Sequence, residues 1–138
     1  MKRTELREHI FRVIFSYEFN SDEEMPEQMK LYFEQIEGAT PREEDLDYIY
    51  HKALNVILKS EEIDAFLNEN TKGWKTSRMN KVDLSILRLA VYEMKWDEDV
   101  PEGVAINEAV ELAKKYSGED GPSFVNGVLA KLTKEHQE

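Results

Sequence analysis

From Val82 to Met94 the chain is apolar nearly all the way round a helix: Val82, Leu84, Ile86, Leu87, Leu89, Ala90, Val91 and Met94. A helix with no polar face cannot border water and must be wrapped by others. This one segment therefore demands a multi-helix core. Arg88, Tyr92 and Glu93 interrupt it. Polar groups on such a helix need partners or an exit to a functional surface. Asn107 and Asn126, further on, are poor helix formers. Each reads as bonding the end of a neighbouring helix, with direct contact to a ligand left open for Asn126.

The remaining pattern supplies the wrapping. Helix one is expected over about Lys2 to Phe19, with Leu6, Ile10, Val13, Ile14 and Tyr17 on one face. Helix two starts near Pro26, a residue suited to a first turn, and ends at Gly38. Helix three begins at Thr40, where Glu43 could close a capping box. Helix four spans about Ser60 to Asn70, helix five about Asn80 to Trp96, helix six starts at Pro101 and helix seven at Pro122 or Ser123. Gly127 inside helix seven weakens it. Close approach of a neighbouring helix is the expected compensation. Lys72-Gly73 reads as a break between two helical subdomains, about 1–72 and 73–138, of a single domain. The fold class is all-α.

Composition excludes several classes. The 138 residues contain no cysteine, so disulfides and thiolate zinc sites are ruled out. The basic start, MKRTELREHI, has no apolar run behind it and is not a signal peptide. No window is long and apolar enough for a membrane span, and a cytoplasmic location is expected. There is no P-loop, no GxSxG and no GxGxxG, so an enzyme is not expected, nor is a cofactor. His51 lies one helical turn after Asp47, a spacing that suits a helix ion pair better than a metal site.

The net charge is −11, which alone argues against nucleic acid. Its distribution matters more. Glu18 to Asp47 holds eleven acids against Lys30 and Arg42, whereas Thr71 to Val82 holds Lys72, Lys75, Arg78 and Lys81 with no acid. Lys2, Arg3, Arg7 and Arg12 add a second basic segment. Phe11 and Phe15 are spaced one turn apart, off the main apolar stripe. Either helix one is buried on two sides or Phe15 lies on a binding surface. Trp74 stands among the central cations, and Phe124 opens helix seven. An aromatic ring beside free helix N–H groups suits nucleotide stacking; core packing is the equal alternative. Arg88 either pairs with a carboxylate such as Glu93 or Glu108 or reaches a phosphate.

The residues Leu87-Arg88, Tyr92-Glu93, Val104-Ala-Ile-Asn-Glu-Ala-Val110, Leu112-Ala-Lys114 and Phe124-Val-Asn-Gly-Val-Leu129 resemble the C-terminal half of the NusB family of bacterial transcription antitermination factors. The likeness is dense from Asp83 to Leu129 and fainter over Met1 to Tyr17. It implies two packed three-helix bundles with an extra helix. It also implies binding of single-stranded boxA RNA of ribosomal RNA operons, jointly with NusE, a small-subunit ribosomal protein, within an RNA polymerase elongation complex that holds other Nus factors. Residues carried over for RNA are Lys2, Arg3, Arg7, Arg78, Arg88, Asp120, Phe124 and Asn126. Those carried over for the partner are Phe15, Asp83, Arg88 and Tyr92. Thr4, Glu5 and Ser123 stand where better-known members carry bases, which implies weaker or more salt-sensitive RNA contacts. A homodimer through the partner surface stays open.

Two other readings compete. A helical protein–protein adaptor without RNA binding would suit the charge of −11 and those three substitutions. A NusB-like module of an RNA methyltransferase is disfavoured on the expectation that no catalytic domain follows Glu138. On the RNA reading, Arg7→Glu and Arg88→Glu are each expected to weaken RNA binding without unfolding the chain.

Overall fold

The structure is a computed structural model that describes residues 1–36 and 42–133. Among these lie seven α-helices and one short 3-10 turn, and no strand: α1 (Arg3–Tyr17), α2 (Met25–Glu34), α3 (Glu43–Leu58), α4 (Ser60–Asn70), the turn Thr76–Arg78, α5 (Lys81–Trp96), α6 (Glu102–Tyr116) and α7 (Gly121–Lys131). The all-α expectation holds. The stop at Gly38 and the cap at Thr40 fall outside the described residues.

The chain forms two compact units, Met1–Leu58 and Lys59–Glu138. They divide between α3 and α4. The Lys72-Gly73 bend lies within the second unit, because Asn68 on α4 reaches past it: its Oδ1 accepts the Thr76 N–H at 2.9 Å.

In the first unit α1 packs on α3, and more lightly on α2. Ile10, Phe11, Val13 and Ile14 are buried, so α1 is covered on two sides. The Met1 ammonium meets Asp45 at 2.9 Å and ties the chain start to α3. A capping box absent from the sequence reading precedes α2. The Ser21 N–H donates to Glu24 Oε1 at 2.9 Å, and the Glu24 N–H donates to Ser21 Oγ at 3.3 Å. The Ser21 N–H first, and the Ser21 hydroxyl second, lower the Glu24 pKa from its ordinary value. Met25 and Met29 are the residues α2 buries.

In the second unit α5 is the axis. Every residue from Asp83 to Val91 is buried, as are Glu93 and Met94. α6 and α7 pack on α5 and on each other, and α4 packs on α5. Asn80 caps α5 by accepting the Asp83 N–H at 2.8 Å. α7 begins at Gly121, earlier than expected, with Pro122 in its first turn, where the missing N–H costs nothing. Gly121 is the glycine that packing requires. A Cβ there would collide with the Ser117 side chain and touch Asp83 Oδ1. Gly127 reverses its expectation: a Cβ there would meet nothing within 4 Å.

Candidate nucleic-acid interface

In the second unit the site begins with a turn. The Trp74 N–H donates to the Thr71 carbonyl at 3.1 Å, with Gly73 at φ 85° between them. Only glycine adopts that φ without strain. The Thr71 hydroxyl, buried, donates to the Leu67 carbonyl at 2.5 Å and lies 3.0 Å from the Trp74 carbonyl. The end of α4 thus fixes where Trp74 stands. Trp74 is 53% exposed. Phe124, half-buried on α7, meets it edge-on with centroids 5.0 Å apart and planes at 63°. In the chain Trp74 lies within the acid-free stretch of Lys72, Lys75, Arg78 and Lys81. All four are exposed, Arg78 on the 3-10 turn. Exposed cations beside aromatic rings are the arrangement that holds unpaired nucleic acid.

Asp120 occupies the N-cap position of α7, exposed and without a side-chain cap bond. Asn126 and Asn107 are exposed. Arg88 is 9% exposed and reaches a carboxylate that the sequence reading had not named. Its Nε donates to Asp64 Oδ1 at 2.9 Å and its Nη2 to Asp64 Oδ2 at 2.7 Å. This bidentate fork joins α5 to α4.

In the first unit Lys2 and Arg3 are exposed at the start of α1. Cations at a helix N-terminus oppose the macrodipole, so they do not serve the helix. Both charge and dipole there favour an anion. Arg7, one turn on, is 7% exposed and engaged within the fold.

The residues expected to face a protein partner divide in the same way. Phe15 is half-buried in a ladder on α1, 6.1 Å from Phe11 and 5.1 Å from Phe19. Phe19, which the sequence reading passed over, is 66% exposed. Tyr92 is half-buried, 6.0 Å from the Trp96 ring. Asp83 is 5% exposed and turned inward: Oδ1 accepts the Ser117 hydroxyl at 2.6 Å and Oδ2 accepts the Asn80 amide at 2.9 Å. Ser117 and Asp64 carried no local signal that could have marked them. Among the described residues no group of three or more His, Cys, Asp or Glu could hold a metal ion, and no helix is long and apolar enough to cross a membrane.

The NusB family model matches residues 4–134. The transcription antitermination protein NusB of Agathobacter rectalis is 48% identical over 132 residues, covering 96% of this chain and 99% of that protein. A solved structure of T. maritima NusB superposes with a TM-score of 0.84 at 30% identity, over 100% of this chain and 94% of that one. A second, described as antitermination factors NusB and NusE in complex with dsRNA, superposes with a TM-score of 0.80 at 25% identity, over 96% of each chain. On the strength of a family match that spans nearly its whole length, the chain belongs to the NusB family.

Proposed function

We propose that this chain is an RNA-binding transcription antitermination factor. It binds boxA-type RNA of ribosomal RNA operons together with NusE, and so helps RNA polymerase, with other Nus factors, to transcribe processively. The family relatives carry that name, and one solved relative is described in complex with NusE and dsRNA. The observation that carries the reading is the acid-free cationic stretch flanking Trp74, with its ring set against Phe124. Phosphates need Lys and Arg, and unstacked bases need rings.

The residues act in two sets, one on each unit. Lys2 and Arg3 offer the first phosphate contacts. Arg78, Phe124, Asn126 and Asp120 form the second set, the last two through edge hydrogen bonds. Arg7 and Arg88 are engaged within the fold, Arg88 joining α5 to α4. On the first unit Phe15, extended by Phe19, and on the second unit Tyr92 offer rings to NusE. No residue is assigned a chemical step, because the role is to bind and bridge. The place of action is the cytoplasm, where transcription runs.

An overall charge of −11 keeps the isolated chain's affinity for RNA low. A basic partner that prolongs the cationic surface raises it. Filter binding of boxA RNA with and without NusE tests this. Retention that rises with NusE and falls between about 50 and 200 mM salt supports the reading. NusE binding with no RNA retention at either salt replaces it with the helical adaptor, which the inward commitment of Arg7 and Arg88 would then explain.

A further inference from the structure

A groove of about 190 Å³ runs between α1 and α2 in the first unit. Its floor is Val13, Met25 and Met29, all buried, and its α1 side ends at Ser16. Methionine is adaptable and recurs at surfaces that accept a partner's apolar side chains. Tyr32 also lines the groove, with its hydroxyl already engaged by His9 Nδ1 at 2.5 Å. Gln28, Leu31 and Gln35 form the α2 edge. Leu31 is 42% exposed. Neither glutamine side chain has a hydrogen-bond partner among the described residues. Sites for drug-sized ligands run to roughly 300–1,000 Å³. This groove is smaller and takes a single side chain, with two amides at its edge to bond the backbone that carries it.

The charge around it selects the occupant. From Glu18 to Gln35 the chain holds six acids and one cation, Lys30. Glu27 and Glu34 stand one helical turn before and after Leu31, and both are exposed. At 3.6 residues per turn Lys30 falls on the far side of α2 from Gln28 and Tyr32. On α1 the cation one turn before Ser16 is Arg12, which is paired with Glu8 at 3.0 Å. We infer that this groove docks a basic amphipathic segment of a protein partner. One apolar side chain enters over Met25 and Met29, and the lysines or arginines that flank it meet Glu27 and Glu34. This is the helix-in-groove mode of recognition, with charge complementarity setting the partner. An acidic segment would meet repulsion at both ends of Leu31. The groove uses Val13 and Ser16 of α1, not the Phe15 and Phe19 rings offered to NusE, and it depends on no RNA contact.

The test uses the full chain and a fluorescent synthetic probe, a helical peptide of leucine and lysine with its leucines on one face, followed by anisotropy at low and high salt. Two comparison peptides carry glutamate in place of lysine and alanine in place of leucine. The leucine–lysine peptide is expected to bind, more weakly as salt rises, and each comparison peptide to bind at least about fivefold less well. Leu31→Ser, and Glu27→Lys combined with Glu34→Lys, should each weaken the probe at least about fivefold. Both should melt like the parent, because these side chains are exposed. Glu61→Lys combined with Glu69→Lys makes the same change of charge at exposed positions of α4 and should bind the probe like the parent. Excess NusE should leave the probe bound. If the α2 variants bind the probe like the parent, or the α4 variant loses as much as they do, the attraction is to general acidity and the docking site is overturned. Displacement of the probe by NusE would make the groove part of the NusE surface and overturn it as a separate site.

Discussion

The Ser117 hydroxyl donates to Asp83 Oδ1 at 2.6 Å and joins the end of α6 to the first turn of α5 across 34 residues. Asn80 holds the other carboxylate oxygen. Gly121 packs onto this pair and starts α7, three residues before Phe124. The buried carboxylate therefore sets where the Phe124 ring stands. Ser117→Ala should cost about 1.5–3 kcal/mol, the range for a hydrogen bond to a charged group. Urea unfolding measures it. A loss in RNA binding at concentrations where the variant stays folded would mark the positioning effect.

The two glycines of α7 should respond in opposite directions. Gly121→Ala forces a methyl into the Ser117 side chain, an overpacking that costs about 1–3 kcal/mol. Gly127→Ala meets nothing and should stabilise the fold by up to about 1 kcal/mol. Thermal melts of both variants decide the matter, and a destabilised Gly127→Ala would contradict the open geometry.

Arg88 and Asp64 form a mostly buried fork, with side chains 10% and 26% exposed. Asp64→Ala should cost about 2 kcal/mol, because Arg88 is left without its bidentate acceptor. Arg88→Glu sets a second carboxylate against Asp64 and should destabilise further. The expectation from sequence that this variant would leave the fold intact is thereby revised. A double-mutant cycle of Arg88→Met and Asp64→Ala should return a favourable coupling; none would mean the pair is incidental.

His9 Nδ1 lies 2.5 Å from the Tyr32 hydroxyl and links α1 to α2. Burial first, and Arg12 second, lower its pKa below the ordinary 6.5, while Glu8 and Glu5 oppose them. The unfolded chain thus takes up a proton at higher pH than the folded one. The stability due to His9 is full above 6.5 and is lost as pH falls from there through the lower folded value. Urea unfolding at about pH 7.5 and about pH 5.5 should show a larger drop for the parent than for His9→Gln. Equal drops would remove the histidine from the account.

Local pattern made much of this legible. The apolar circumference of α5 announced a wrapped helix, and Asp83 to Val91 are buried without exception. Asn80, Gly73 and Pro122 marked a cap, a bend and a helix start because their chemistry acts within a few residues. The ties that shape the site act over longer range. Arg88 meets Asp64 from 24 residues away and Ser117 meets Asp83 from 34. No periodicity encodes such pairs, so the sequence offered nearer carboxylates for Arg88 and an outward role for Asp83. Gly127 misled for a related reason. A helical glycine signals a need for space, and only coordinates tell packing from an open groove.

The most direct measurement is the salt dependence of boxA RNA affinity for the complex with NusE, in the parent and in a Lys72→Glu, Lys75→Glu, Arg78→Glu triple variant. Each lost phosphate contact should reduce the log–log slope by about one. A triple variant that folds, still binds NusE and shows a much shallower slope with weaker affinity is the predicted result. A slope and affinity equal to the parent's would contradict the assignment of this cationic, aromatic surface to RNA.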